Sequence, residues 1–135
     1  MRMKFFAVVF VALLICSVAF ASNMGFKITI NLSNAGLAQN WFSLPYHNNY
    51  ANAGAIYNDI GGAATTSVSR WNATSSSFET WNGRIGTNFT VSTGEGYMAT
   101  MTSPVAWVVV GSHDPGAAIS VVNAGLGQNW LSVPY

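Results

Sequence analysis

The side chains of this sequence that could do chemistry are few: the carboxylates Asp59, Glu79, Glu95 and Asp114, the imidazoles His47 and His113, and the indoles Trp41, Trp71, Trp81, Trp107 and Trp130. Two carboxylates facing each other across a cleft would suit glycoside hydrolysis. Here Glu79 reads as a solvent-facing strand residue, Glu95 as a turn residue and Asp59 as a helix-end residue, so surface and turn roles fit them better. Ser112-His113-Asp114 has the residue types of a nucleophilic triad, but in immediate succession. Neighbours in an extended chain point to opposite sides and cannot relay a proton along one line. A zinc site needs three or four ligands, and the lone cysteine, Cys16, lies in the leader described below. Gly94-Glu95-Gly96 has no helix following it and reads as a turn, not a phosphate loop. The expectation is a non-enzymatic chain with no metal and no cofactor.

The aromatic residues carry two readings. Exposed planar rings stack on sugars, and Trp71, Trp81 and Tyr97 would form the platform of a polysaccharide-binding module. The competing reading is core packing, with Trp71 and Trp81 paired across a hairpin.

The elements that must position these residues are set by composition first. The chain has 135 residues, 50% of them hydrophobic, 13% aromatic and 7% charged, with a net charge of +1. Disordered chains are charge-rich and poor in aromatics, so a folded domain is expected. Five scattered cations cannot build a phosphate-binding patch, which excludes nucleic acid as a partner. Residues 1–21 combine Arg2 and Lys4, an apolar run from Phe5 to Phe20, and Ala19-Phe20-Ala21. This is the order of a cleaved secretory signal, and the run is shorter than the ~20 residues of a bilayer span. Cleavage would leave residues 22–135 with no cysteine, no membrane span, and three cations against four anions. The expected location is secreted or cell-surface.

Internal similarity is the strongest feature. Asn34–Tyr46 (NAGLAQNWFSLPY) and Asn123–Tyr135 (NAGLGQNWLSVPY) are identical at ten of thirteen positions at an offset of 89. Trp41 and Trp130 are therefore equivalent, which suggests a packing role common to both copies. Residues 22–116 read as one module and residues 117–135 as the start of a second. Two explanations stand: the chain is the front of a longer tandem array, or its spare strands join a neighbouring copy head to tail. The linking strands would then carry Ile119, Val121, Trp130, Leu131 and Val133.

Within the module, Phe26–Leu32 alternates with period two and predicts a half-buried strand. Further strands are expected at Asn40–Leu44, Val68–Trp71, Phe78–Trp81, Asn88–Val91, Tyr97–Met101 and Val105–Val110, with a hairpin loop at Ser92–Gly96. Ala53, Ile56, Tyr57 and Ile60 fall on one helical face, ended by Gly61-Gly62. The expected fold is mainly β: an antiparallel β-sandwich or open barrel with one short helix, followed by the first strands of a second repeat.

Asn40–Tyr46 (NWFSLPY), Asn58–Gly62 (NDIGG), Ser69–Asn72 (SRWN), Phe78–Trp81 (FETW) and Phe89–Tyr97 (FTVSTGEGY) follow one another in an order that resembles a tandem module of large secreted and surface-anchored bacterial proteins. Such modules often lie beside immunoglobulin-like or fibronectin type III-like domains. The resemblance covers nearly all of Phe26–Val110. It implies an extracellular module and no particular function; the expectation of a structural or adhesive role, with self-association or polysaccharide as partner, rests on the signal, the repeat, the aromatics and the missing catalytic groups.

Overall fold

Alternating burial makes the first strand: in β1 (Phe26–Leu32) Phe26, Ile28, Ile30 and Leu32 turn inward while Lys27, Thr29 and Asn31 face solvent. The computed structural model describes residues 25–113 and 118–132. The expected leader over 1–21, Asp114 and Val133 lie outside the described residues. After β1 come β2 (Gln39–Ser43), helix α1 (Ala53–Gly61), β3 (Thr65–Asn72), β4 (Ser77–Trp81), β5 (Gly96–Met101) and β6 (Val105–Gly111). They form two antiparallel sheets: β1 with β6, and a four-stranded sheet in the order β2-β5-β3-β4. The fold is mainly β and sandwich-like, with one helix and no closed barrel among the described residues.

The core lies between the two sheets and under α1. The four-stranded sheet contributes Phe42, Val68, Tyr97, Ala99 and Met101, the small sheet Leu32, Trp107 and Val109, and the helix Ala53, Ile56 and Ile60. Each large apolar side chain so buried stabilises the fold by about 1.5–3 kcal/mol. The helix begins at Asn52, whose Oδ1 accepts from the Ala55 N–H at 3.0 Å, a favourable N-cap. It ends where Gly61 takes φ +106°, a conformation that L side chains rarely adopt. Asp59 fixes the helix to the small sheet. Its Oδ2 accepts from Trp107 Nε1 at 2.7 Å and from the Tyr50 hydroxyl.

Two expected elements differ. Asn88–Val91 is not a strand. Its backbone groups go to the start of the helix: Phe89 O accepts from Ala53 N–H at 2.9 Å, and Val91 N–H donates to Ala51 O at 3.2 Å. The Asn88 side chain accepts from Gly54 N–H at 2.7 Å, and Phe89 is pulled into the core. With those bonds spent on the helix, residues 88–91 have no ladder to join beyond a bridge between Asn52 and Thr90. Ser92–Gly96 is accordingly no hairpin loop but is tied around the Tyr97 hydroxyl, which accepts from Ser92 N–H at 2.8 Å and donates to Ser92 O at 2.9 Å. The second difference concerns residues 118–132. They form no strand, only a bridge between Leu131 and Glu95, because they pack across an existing sheet face and no partner strand runs alongside.

Replacing Asp59 with Ala removes the acceptor of the buried Trp107 ring. Urea unfolding is expected to register a loss of about 1–3 kcal/mol.

Candidate functional site

The four-stranded sheet has one end that is charged. Register places Phe42, Tyr97, Arg70 and Glu79 opposite one another on the core-side face. At the end of that row the Arg70 guanidinium donates to Glu79 Oε2 at 2.7 Å, Glu95 Oε2 at 3.2 Å and Thr90 O at 3.0 Å, and it lies 4.9 Å above the Phe89 ring. Burial works against the Arg70 charge, but Glu79 and Glu95 outweigh it and hold its pKa above the usual value. The Glu79 carboxyl lies below the usual carboxylate range, because the Asn72 amide donates to it at 2.8 Å and Arg70 adds its charge. Burial, reinforced by Glu95, pushes the Tyr97 phenol up. Glu79 is therefore not the solvent-facing residue its strand pattern suggests. β4 turns its acid to the sheet's inner edge, where Arg70 meets it. Both candidate acids of the sheet are committed to one arginine, an arrangement that ties the 89–95 loop to β3 and β4.

The opposite face carries the aromatics that alternation excludes from the core. Trp41 on β2, Trp71 on β3 and Phe78 on β4 project there, with Met98 between them on β5. Trp130 closes this group. Its ring centroid lies 4.4 Å from Trp41 in an edge contact, 4.9 Å from Phe78 in an edge contact, and 5.8 Å from Trp71 in a stacked one. Polar bonds anchor the segment on either side. Trp71 Nε1 donates to Gln128 O at 2.9 Å, Leu126 N–H to Ser76 Oγ at 2.9 Å, Gly96 N–H to Trp130 O at 3.2 Å, and Ser132 N–H to Gly94 O at 2.9 Å. A cleft of ≈ 480 Å³ opens beside it, lined by Arg70, Asn72, Glu95, Ile119, Asn129 and Trp130 among others.

The two runs that match in sequence also match in local geometry. In the first, Ser33 N–H donates to Asn40 Oδ1 at 2.8 Å and Asn40 Nδ2 to Ser33 O at 2.8 Å and Ala38 O at 3.1 Å. In the second, 89 residues on, Val122 N–H donates to Asn129 Oδ1 at 2.8 Å and Asn129 Nδ2 to Val122 O at 2.9 Å and Gly127 O at 3.3 Å. Gly36 and Gly125 take φ +58° and +54°, and Ala38 and Gly127 take +57° and +66°. The turn is thus written in its own residues and forms in two different surroundings. Their neighbours differ: the first turn is bonded to the end of β5, through Asn34 Nδ2 to Thr102 O at 3.1 Å and Met101 N–H to Ala38 O at 2.9 Å, and the second to Ser76, while the leucine at each tip is exposed, Leu37 at 83% and Leu126 at 69%.

The sequence-based platform is not assembled. Trp71 lies on the outer face and faces Phe78 across the hairpin, while Trp81 lies on the inner face opposite Val68, packed against the core. Tyr97 is 1% exposed. Trp71 and Trp81 are ten residues apart but sit on two strands whose antiparallel pairing puts them in opposite phases. Of the linking residues, Trp130 is in the aromatic group and Leu131 at the bridge to Glu95. Ile119 lies against Gly94, and Val121 is exposed. None of these four reaches outward in a strand. Sequence reasoning missed Phe78, Ser76 and Arg70. The first had a signal, since Phe78 and Trp71 share a strand-pair phase; Ser76 and Arg70 acquire their roles only through contacts with distant segments.

Ser112 and His47 exchange backbone bonds, and His113 rests its ring edge on Tyr46, so these two residues of the Ser-His-Asp run serve packing. No three His, Cys, Asp or Glu side chains converge on a metal position among the described residues. Among them, too, no helix is long and apolar enough to cross a membrane. Compared with known proteins, the chain matches no family profile, no curated protein and no solved structure.

Two expectations follow from this geometry. Ala38 holds a left-handed conformation that costs an L-residue about 1–2 kcal/mol, and its counterpart is Gly127; Ala38→Gly should raise the urea midpoint, by a stability gain of about 1 kcal/mol. Glu79 has a depressed folded-state pKa, so its contribution is present above the unfolded carboxylate value of ~4.3 and is lost as pH falls through the folded value. The stability gap between the native chain and Glu79→Gln should be about 1 kcal/mol at pH 7 and narrow below pH ~4, as read by denaturant titration at several pH values.

Proposed function

We propose that the chain is an exported, non-catalytic structural module of the cell surface or extracellular matrix, built to join to further copies of itself. The observation that supports this reading best is the seat of the second N-A-G-L-x-Q-N-W run. The opening segment of what reads as a second module is packed against the first module through Trp41, Trp71 and Phe78. In a tandem array the same contact would recur at every joint, each module burying its own core and receiving the first turn of the next. Low charge suits this role, since little repulsion opposes close association of copies. Two of the acids weighed for hydrolysis, Glu79 and Glu95, are held by Arg70, and Asp59 is held by Trp107 and Tyr50, which favours a structural over a catalytic reading.

A saccharide-binding reading is favoured by one feature, the cleft beside Trp130 with its amide and hydroxyl lining. It differs from the first in what it predicts. Titration with soluble neutral oligosaccharides should leave the tryptophan fluorescence of the native chain unchanged if the module is structural; a saturable change lost in Asn72→Ala would replace that reading with the binding one.

The structural reading is tested by light scattering on the purified native chain together with Trp130→Ala. Particle mass should rise with concentration for the native chain, and the variant should remain at the mass of a single chain. A native chain that stays monomeric up to ~1 mM, the effective concentration of a short tether, would count against a self-joining role.

A further inference from the structure

Residues 118–132 lie on the outside of the module, with Ser132 alone among them buried. Of the described residues beyond 113, none belongs to the core cluster, so each module keeps its interior whether or not its own segment is in place. The contacts are a set of matched pairs: the Trp130 ring against Trp41, Trp71 and Phe78, the Gln128 carbonyl for the Trp71 ring nitrogen, the Leu126 N–H for Ser76 Oγ, and backbone bonds at Gly94 and Gly96. None of these pairs depends on both partners belonging to one chain. The turn that carries the donors holds its shape through Asn129 and the Ala124–Gly127 backbone bond of 2.8 Å. It therefore arrives preformed and loses little further freedom on docking.

The two halves of the contact are different surfaces. Residues 125–132 supply one, and Trp41, 71–78 and 94–96 supply the other. A contact between unlike surfaces is heterologous, and its repetition between molecules gives an open chain unless the rotation happens to close. We propose that the outer face of the four-stranded sheet is an acceptor site for residues 118–132 of a second copy of this chain, which exchange with the molecule's own segment and link copies head to tail. This rests on the self-joining reading above and names its acceptor surface. The exchanged joint makes the same contacts as the internal one, so the balance is set by concentration. The internal segment acts at an effective concentration in the ~mM range, and exchange should become substantial as the protein approaches it, as in a crowded extracellular layer.

Cysteine pairing across the joint distinguishes the two arrangements. A Cβ placed on Gly125 would lie 2.1 Å from Ser76 Oγ, so the two positions are in direct contact and a side chain at 125 must displace the turn slightly. In a Cys16→Ser background, full-length Ser76→Cys and Gly125→Cys chains are mixed, oxidised at concentrations from micromolar to ~1 mM, and resolved by mass. Leu126→Cys, whose N–H meets Ser76 Oγ, repeats the test as donor without a side chain at positive φ. The expected result is a covalent heterodimer in excess of both homodimers, rising with concentration and abolished in denaturant. If the double variant closes its bond within one chain while the mixed single variants give no excess heterodimer, exchange is overturned and the internal joint stands. If neither donor position bonds to Ser76→Cys within or between chains, the docked segment itself is wrong, and the self-joining reading falls with it.

Discussion

Successive residues of a β-strand face opposite sides, and this chain has aromatics in both phases. In β2 Phe42 turns to the core and Trp41 away from it. In β3 Val68 turns in and Trp71 out, and in β4 Trp81 turns in and Phe78 out. One small core cannot take them all, so an indole-rich patch is left on the far side of the four-stranded sheet. A contiguous apolar patch of this kind is a contact surface, and its rings here are met by Trp130. The path of residues 118–132 and the bridge at Leu131 follow from that requirement.

The joint is economical in what it orders. A turn held by one asparagine side chain and two residues at positive φ would cost conformational entropy if it had to be shaped by its partner. The two copies adopt the same bonds against different neighbours, the first beside Met101 and Thr102 and the second beside Ser76, so the shape belongs to the turn itself. The partner surface then needs to supply only a few contacts: a ring pocket, a hydroxyl and two backbone groups.

Charge is scarce and is used where chain segments far apart in sequence must meet. Arg70 draws together β4 through Glu79 and the 89–95 loop through Glu95, Thr90 and Phe89. Asp59 ties the helix to β6 through Trp107. These are positioning roles, and they account for three of the acids that a chemical reading of the sequence singles out. The same loop that Arg70 holds also supplies Phe89 O and the Asn88 side chain to the helix start, so one cluster organises the closed end of the module.

Local pattern was enough for much of this. Period-two alternation marked β1, a continuous apolar run after Pro104 marked β6, and apolar spacing and paired glycines marked α1, because each of these signals is carried by residues close together in the chain; self-similarity at an offset of 89 marked the two turns. The antiparallel, mainly β class follows from the same short-range information. What the sequence left open were matters of pairing. Whether Asn88–Val91 would join a ladder depended on the helix start competing for its backbone groups. Which tryptophans would share a face depended on strand register, which separated Trp71 from Trp81 and brought Trp71 to Phe78. Whether Trp130 would extend outward or fold back depended on a hydrophobic patch assembled from three strands. Such contacts join residues tens of positions apart, and only the closed tertiary structure brings them within interaction distance.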